Sequence, residues 1–155
     1  KIVTIIGKQG SRYRVKATIG TPLQKIFDVL NIHVNDQDRL VINGPMQGVT
    51  TYTLFHPVQP DMDTVIVQDR DTIAEVSDTA CVNCGKCIRI CPANVPVNVM
   101  VRYLSVDQYE EAADKYDLES CIDCGLCAYV CTAKIPIYQY IRLGKYELNK
   151  LRADA

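Results

Sequence analysis

Eight cysteines in two identically spaced runs constrain this 155-residue chain more than any other feature. Each run has the spacing C-x2-C-x2-C-x3-C, written CVNCGKCIRIC in the first and CIDCGLCAYVC in the second. The cysteines are Cys81, Cys84, Cys87 and Cys91, followed by Cys121, Cys124, Cys127 and Cys131. The first three thiols of each run are close enough in sequence to surround one compact group. The repetition therefore predicts two sites of the same kind.

This spacing is the one by which bacterial ferredoxins bind [4Fe–4S] clusters. Three thiolates of a run bind one cluster, and the fourth cysteine of that run ligates the other cluster. The first predicted ligand set is Cys81, Cys84, Cys87 and Cys131. The second predicted ligand set is Cys121, Cys124, Cys127 and Cys91. Such crossed ligation would join the two runs into one structural unit.

Zinc sites and disulfides are the two alternatives for so many cysteines. Zinc usually takes two C-x2-C pairs from separated positions, and three cysteines within seven residues suit its tetrahedral geometry poorly. Disulfides are compatible with the even number of cysteines, but no secretory segment accompanies them. All eight cysteines fit the cluster pattern, and reduced cysteines favour a cytoplasmic compartment. Two [4Fe–4S] clusters are therefore the prediction.

The remaining composition excludes several classes of function. A net charge of −1, balanced along the chain, argues against a nucleic-acid partner. The sequence contains no run of 18 apolar residues, so no transmembrane segment is predicted. No G-x-G-x-x-G motif is present, so we expect no flavin or NAD site within this chain. His33 and His56 are predicted to be loop residues, because thiolates already fill both ligand sets. A first residue other than Met is typical of a fragment or a processed product.

The first 70 residues predict a small domain of strands and one helix. β-Branched or alternating runs indicate strands. These runs occupy residues 2–6, 12–19, 39–43 and 63–68. Thr21, Pro22 and Gln24 have the signature of a capping box, which predicts the start of a helix. The order ββαββ predicts a β-grasp-like domain over residues 1–70.

The rest of the chain predicts a connector over residues 71–78 and an α-helical dicluster ferredoxin domain over residues 79–155. The second half of the chain repeats with an offset of 40 residues, so that Pro96 and Pro136 each open a helix. Ser105 and Gln108 predict a second capping box before another helix. Four tyrosines on apolar helix faces are expected to pack in the core, and three cations on the last helix are expected to be solvated. The tyrosines are Tyr103, Tyr109, Tyr116 and Tyr140, and the cations are Arg142, Lys145 and Lys150. The predicted fold class is α+β.

The chain resembles the C subunit of the Rnf electron-transport complex. Residues 79–147 resemble its dicluster domain, above all in CIDCGLCAYVCTAKIPIYQYIRLGKYEL. Residues 1–68 resemble the soluble-ligand-binding β-grasp (SLBB) domain that precedes it there. The motifs that carry this second resemblance are IGTPLQKIFDVL at 19–30, NGPMQG at 43–48 and HPVQPDMDTVIV at 56–67. The flavoprotein subunit of respiratory complex I has a related arrangement with a single cluster, and the two cysteine quartets argue against that relative.

The resemblance implies an electron-transfer subunit of an oxidoreductase complex, with no catalytic residues of its own. Its partners would be flavin- and NADH-binding and membrane subunits, which would hold it at the inner face of the membrane. NADH oxidation is not transferred to this chain, because the flavin site is not among its residues. Two alternatives remain at this point. One is a free ferredoxin-like carrier, and the other is a cobalamin-reductase-like module whose β-grasp domain binds the ligand.

Overall fold

The computed structural model describes residues 1–73, 75–77 and 79–154. The protein is mixed α/β and divides into two compact units, Lys1–Ala74 and Glu75–Ala155. The first unit contains a five-stranded sheet and a helix, and the second is built from helices. Each unit has a hydrophobic core of its own. Within the described ranges, no helix is long and apolar enough to cross a membrane.

The sheet of the first unit has the strand order β2-β1-β5-β3-β4. Its elements, in chain order, are β1 (Ile2–Ile6), β2 (Arg12–Lys16), α1 (Leu23–Leu30), β3 (Arg39–Ile42), β4 (Val49–Thr51) and β5 (Thr64–Gln68). Strand β1 pairs antiparallel with β2 and parallel with β5, whereas β3 pairs antiparallel with β4 and β5. The helix and four of these strands confirm the prediction. Strand β4, which is only three residues long, was not predicted.

The core of the first unit lies between the sheet and α1. Alternate residues of the central strands, such as Ile5 and Val65, are fully buried, as period-two alternation requires. The helix contributes Leu23, Ile26 and Phe27 from one face. These residues belong to one continuous cluster. Burial of this one helix face explains why the sequence of α1 has its apolar residues at i, i+3 and i+4.

The predicted capping box at the start of α1 was wrong. The helix begins at Leu23, and no side chain caps its first turn, so Thr21 and Gln24 form no capping box. Instead, the backbone amides of Leu23 and Gln24 donate to the carbonyls of His56 and Leu54, at 3.0 and 2.9 Å. A distant loop therefore satisfies the free amides of the helix. Strand β2 also ends earlier than predicted, at Lys16, ahead of a turn at residues 18–21.

The buried carboxylate of Asp38 contacts three other residues of the first unit, Lys8, Asn35 and Arg70. The Asp38 side chain is only 1% exposed, and its Oδ2 lies 2.5 Å from Lys8 Nζ. The same oxygen accepts from the amide of Asn35, and Oδ1 accepts from the amide of Arg70 at 3.4 Å. Burial opposes the charge, but the hydrogen bonds from Lys8 and the two amides outweigh it and hold the pKa of Asp38 below its usual value.

Replacing this carboxylate is expected to destabilise the first unit. We expect Asp38→Ala to lower the free energy of unfolding at pH 7 by about 2 to 3 kcal/mol, since hydrogen bonds to a charged group are lost. A depressed pKa contributes stability above the unfolded value and loses it as the pH falls through the folded value. The difference from the wild type should therefore shrink below about pH 4. Urea unfolding from pH 7 to below about pH 4 measures this difference in free energy of unfolding. Asp28→Ala, at an exposed position, is the control. An equal effect of both variants would contradict the assignment.

In the described residues of the second unit, five α-helices pack around a separate core. Their bounds are α2 (Lys86–Ile90), α3 (Val97–Leu104), α4 (Tyr109–Tyr116), α5 (Leu126–Tyr129) and α6 (Ile137–Asp154). The helices predicted after Pro96 and Pro136 are confirmed by α3 and α6. Helix α6 approaches α3 closely at Gly144, where an added Cβ would lie 2.5 Å from a methyl group of Leu104. A larger residue here would force the buried Leu104 side chain to shift, whereas glycine lets the two helices approach closely.

Other expectations for the second unit had mixed outcomes. The ring centroids of Tyr103 and Tyr116 lie 4.8 Å apart, and the Tyr116 hydroxyl donates a hydrogen bond to that of Tyr103. Core packing is thus confirmed for this pair. The second capping box was wrong, because α4 begins at Tyr109 without a side-chain cap. Ser105 instead donates to the carbonyl of Arg102, at the end of α3. The prediction that Lys145 is solvated was also wrong, because its ammonium group donates to the carbonyl of Cys121 and to Asp123.

Candidate metal centre

The two cysteine runs fold into the same local structure twice. In each run a residue with left-handed backbone, Asn83 or Asp123, is followed two positions later by a glycine that is also left-handed. Gly85 has φ 72° and Gly125 has φ 75°, and each precedes the first residue of its helix, α2 or α5. A left-handed residue at this point is most readily a glycine, because any Cβ would be strained there. The two cysteine runs therefore share one local backbone conformation.

Two pockets lie between the runs, and each is lined by four cysteines. The first pocket is lined by Cys81, Cys84, Cys87 and Cys131. The second pocket is lined by Cys121, Cys124, Cys127 and Cys91. Each pocket therefore takes three cysteines from one run and the fourth from the other. The grouping coincides with the crossed ligand sets expected from the spacing, and cluster ligation by these thiols stays a prediction.

The cysteines differ in burial and in acidity. Cys87 and Cys127 are 8% and 7% exposed, whereas Cys84 is exposed and the others are half-buried. Burial raises the pKa of the Cys87 and Cys121 thiols, and it raises the pKa of Cys127 to about 12. The backbone amide of Lys86 and then the Thr132 hydroxyl lower the pKa of Cys84. Buried thiols are protonated without metal, so iron must displace protons when it binds.

The donor set of each pocket fits a [4Fe–4S] cluster. Four thiolates are the usual ligand set of such a cluster. Apolar side chains form much of the remaining wall, with Val101 and Ile137 in the first pocket and Leu126 and Ile141 in the second. Apolar walls limit the access of water to a cluster. Across the ranges that the structure covers, no three His, Cys, Asp or Glu side chains are placed to hold a single metal ion.

Several polar residues around the cysteines were missed by sequence reasoning. In the first pocket, Thr132 Oγ1 lies 3.6 Å from Cys84 Sγ, and Asn98 is part of the wall. Near the second pocket, Lys145 Nζ donates to the carbonyl of Cys121 at 2.5 Å and to Asp123 at 2.8 Å. The 40-residue repeat could have identified Thr132 and Asn98, since each differs from its counterpart in the other copy. The sequence carries no signal for Lys145, because only the fold brings α6 to this loop.

Neither histidine lies at these pockets. His33 is exposed in the loop after α1. A ring nitrogen of His56 lies 2.9 Å from the carbonyl oxygen of Pro57. Both residues belong to the first unit, and neither lines a pocket formed by the cysteines.

Comparison with known proteins supports an iron–sulfur assignment. The family of 4Fe–4S dicluster domains matches residues 80–135. Iron–sulfur clusters are therefore the cofactors that this part of the chain is built to hold.

Three similar proteins belong to multi-subunit oxidoreductase complexes. The C subunit of an ion-translocating oxidoreductase complex from Pectobacterium carotovorum is 32% identical over 157 residues, covering 100% of this chain and 21% of the relative. The C subunit of a proton-translocating ferredoxin:NAD(+) oxidoreductase complex from Clostridium ljungdahlii is 31% identical over 129 residues, covering 83% and 28%. The C subunit of an ion-translocating oxidoreductase complex from Methanosarcina acetivorans is 27% identical over 93 residues, covering 60% and 21%. The chain thus spans about a fifth to a quarter of the length of these relatives.

Proposed function

The chain belongs to the family of the C subunits of Rnf-type, ion-translocating oxidoreductase complexes, and on this premise we propose that it is an electron-transfer module with two [4Fe–4S] clusters. The observation that carries the proposal is the pair of four-cysteine pockets. Each pocket offers the thiolate number that one cluster needs. An iron–sulfur cluster exchanges single electrons, and the protein around it sets the reduction potential.

The roles of the residues follow from their places in the two pockets. The first cluster would be held by Cys81, Cys84, Cys87 and Cys131. The second cluster would be held by Cys121, Cys124, Cys127 and Cys91. Gly85 and Gly125 permit the left-handed turn before each helix, because glycine adopts positive φ without strain. Helices α2 and α5 carry the two most buried thiols and pack against each other, which supports electron exchange between the sites.

The first unit is proposed to be a β-grasp-like, SLBB-type domain for recognition of a partner. The arrangement of one helix over a mixed sheet supports this proposal. The loop after β3 is tight at Gly48, where an added Cβ would clash with the backbone carbonyl oxygens of Ile42 and Gly44. Loops carry binding residues more often than buried elements do, which supports this loop as part of the proposed contact. The proposed division of the chain is residues 1–70, a connector over 71–78, and residues 79–155.

The place of the chain in an electron pathway is likewise proposed. The relatives are subunits of multi-subunit oxidoreductases, so redox-active partner subunits are expected here too. We propose that the clusters relay electrons between a flavin- and NADH-binding module and the other redox subunits of the complex. The flavin would be bound by residues outside this chain. Attachment through partner subunits would place the chain at the cytoplasmic face of the membrane.

The direct test of the proposed function is the metal content. Anaerobically prepared protein is expected to hold about eight iron and eight sulfide per chain, because that is the content of two [4Fe–4S] clusters. Iron and sulfide analysis with visible spectroscopy measures this content. His33→Ala is the control and should keep the full complement, since His33 is an exposed loop residue of the first unit. Stoichiometric zinc without visible charge-transfer absorption would contradict the proposal.

A further inference from the structure

The two cysteine pockets share their backbone geometry but differ in the polarity of their walls. Residues 40 positions apart occupy corresponding places in the two copies. At two of these places the first pocket has a hydrogen-bonding side chain and the second has a different type of residue. Hydrogen bonds to cluster sulfur, together with nearby charge and solvent exposure, determine reduction potential. The difference therefore bears on which site an electron prefers.

Thr132 is the first of these asymmetric residues. Its hydroxyl lies 3.6 Å from the sulfur of Cys84, within hydrogen-bonding distance of a thiolate. The corresponding residue at the second pocket is Pro92, which has neither a hydroxyl nor a backbone N–H. A hydroxyl that donates to thiolate sulfur stabilises the more negative, reduced state of a cluster. Pro92 supplies no such donor to the second pocket.

Asn98 is the second asymmetric residue, and it has an unexplained polar atom. Its Nδ2 donates to Asn83 Oδ1 at 2.6 Å, while its own Oδ1 is buried with no hydrogen-bond partner within the described part of the chain. Asn98 also lines the first pocket. A cluster offers only acceptors, so exchanging the roles of the two amides would let Asn98 Nδ2 donate to sulfur and Asn83 donate to Asn98. This exchange would give the buried polar atom of Asn98 a partner. The counterpart of Asn98 in the second pocket is Tyr138.

Positive charge also differs between the two sites. Lys86 lines the first pocket, and Arg89 donates to the carbonyl of Cys84 at 3.3 Å. Their counterparts in the second copy are Leu126 and Tyr129, which carry no charge. A cation near a cluster stabilises the reduced state through its electrostatic attraction. Charge and hydrogen bonding therefore favour reduction of the same site.

Two cations near the second pocket act in the opposite direction. Lys145 lies close to the carbonyl of Cys121, but Asp123 pairs with it at 2.8 Å and offsets its charge. Arg142 lies 5.8 Å from the centre of the Tyr138 ring. Lys86, Arg89 and Arg142 are exposed, so their charges are screened, and Asp123 offsets the charge of the half-buried Lys145. A hydrogen bond, by contrast, acts directly on the sulfur atom. The hydrogen bonds of the first pocket should therefore decide the order.

We propose that Thr132 and Asn98 give the cluster bound by Cys81, Cys84, Cys87 and Cys131 the higher reduction potential of the two. This inference rests on the proposed presence of two [4Fe–4S] clusters. With clusters bound, an electron that entered at the second site would pass to the first, and the second cluster would be oxidised as the first was reduced by one electron. No proton or bond changes place in this step. Thr132 and Asn98 would act through hydrogen bonds to the first cluster, which would be the first of the two to be reduced.

The test is a reductive titration of the anaerobically prepared protein with dithionite, followed by EPR spectroscopy. We expect two one-electron steps. Thr132→Val should shift the reduction equilibrium of the upper step about tenfold toward the oxidised state, which corresponds to about 59 mV for one electron. The lower step should not move. Asn98→Leu should shift the same step in the same direction and provides a second variant if Thr132→Val does not fold.

Two further variants make the assignment specific. Thr79→Val removes a hydroxyl that bonds the carbonyl of Ala133 and lines neither pocket, so it should move neither step. Pro92→Thr introduces a hydroxyl at the second pocket and should raise the lower step. The inference would be overturned if neither step moved in Thr132→Val and Asn98→Leu, or if the lower step moved in either of these two variants. A chain that binds only four iron would instead refute the proposed function, independently of any shift.

Discussion

The double variant Cys91→Ala/Cys124→Ala is expected to keep one intact [4Fe–4S] cluster and about four iron. Both cysteines line the second pocket, although they come from different runs. Their removal should leave the four cysteines of the first pocket unchanged. A cluster that loses two of its four ligands is not expected to persist, so the EPR signal of the reduced protein should fall to one cluster.

A second double variant provides the matched comparison for this experiment. Cys84→Ala/Cys91→Ala also removes two thiols, and both come from the same run, but they line different pockets. Each cluster would lose one ligand, and conversion of both to [3Fe–4S] centres or loss of both is expected. If each run built its own cluster, the two double variants would exchange their results. Such an exchange, in protein whose far-UV spectrum shows that it is folded, would contradict the crossed arrangement.

Removal of iron is expected to unfold the second unit while the first unit stays folded. Helices α2 and α5 have five and four residues, too short to be stable without tertiary contacts. The buried cysteines Cys87 and Cys127 are part of the core that holds them. Binding of structural metal is coupled to folding, and its free energy is lost on chelation. The first unit has a separate core that contains no cysteine.

Hydrogen exchange before and after anaerobic chelation measures this difference. The amides of α2, α3 and α5 should exchange faster by about a hundredfold or more, equivalent to ~2.8 kcal/mol of lost protection. The amides of β1 and β5 should keep their protection and provide the internal control. An equal loss of protection in both units would show that the units do not fold independently. Unchanged protection everywhere would show that the clusters are not part of the core.

The sequence predicted those features whose cause is local. The strands β1, β3 and β5 and the helix α1 follow from apolar periodicity, because one face of each must be buried. The proximity of the first three cysteines of each run follows from their spacing, and their ligation of a cluster stays a prediction. Strand β4 was missed because its three residues, two of them exposed, have no apolar pattern of their own. It exists because β3 offers it a pairing edge.

Features that depend on distant partners could not be predicted. The first turn of α1 is satisfied by carbonyls of His56 and Leu54, so the local capping signature at Thr21 was misleading. Lys145 was assigned to a solvated face because helical periodicity places it opposite the apolar residues. In the fold, that face of α6 meets the loop that holds Cys121 and Asp123. Periodicity describes which face of a helix is polar but does not identify what that face contacts.

The mixed origin of each pocket has a consequence for how the protein is made. Cys81 and Cys131 line the same pocket but are separated by about 50 residues of chain. The first pocket therefore has only three of its four thiols until the second run has emerged from the ribosome. Synthesis proceeds at about 5–20 residues per second, so the incomplete site is exposed for a few seconds. A cluster with this ligand set could therefore be completed only after both runs have been synthesised and the chain between them has folded.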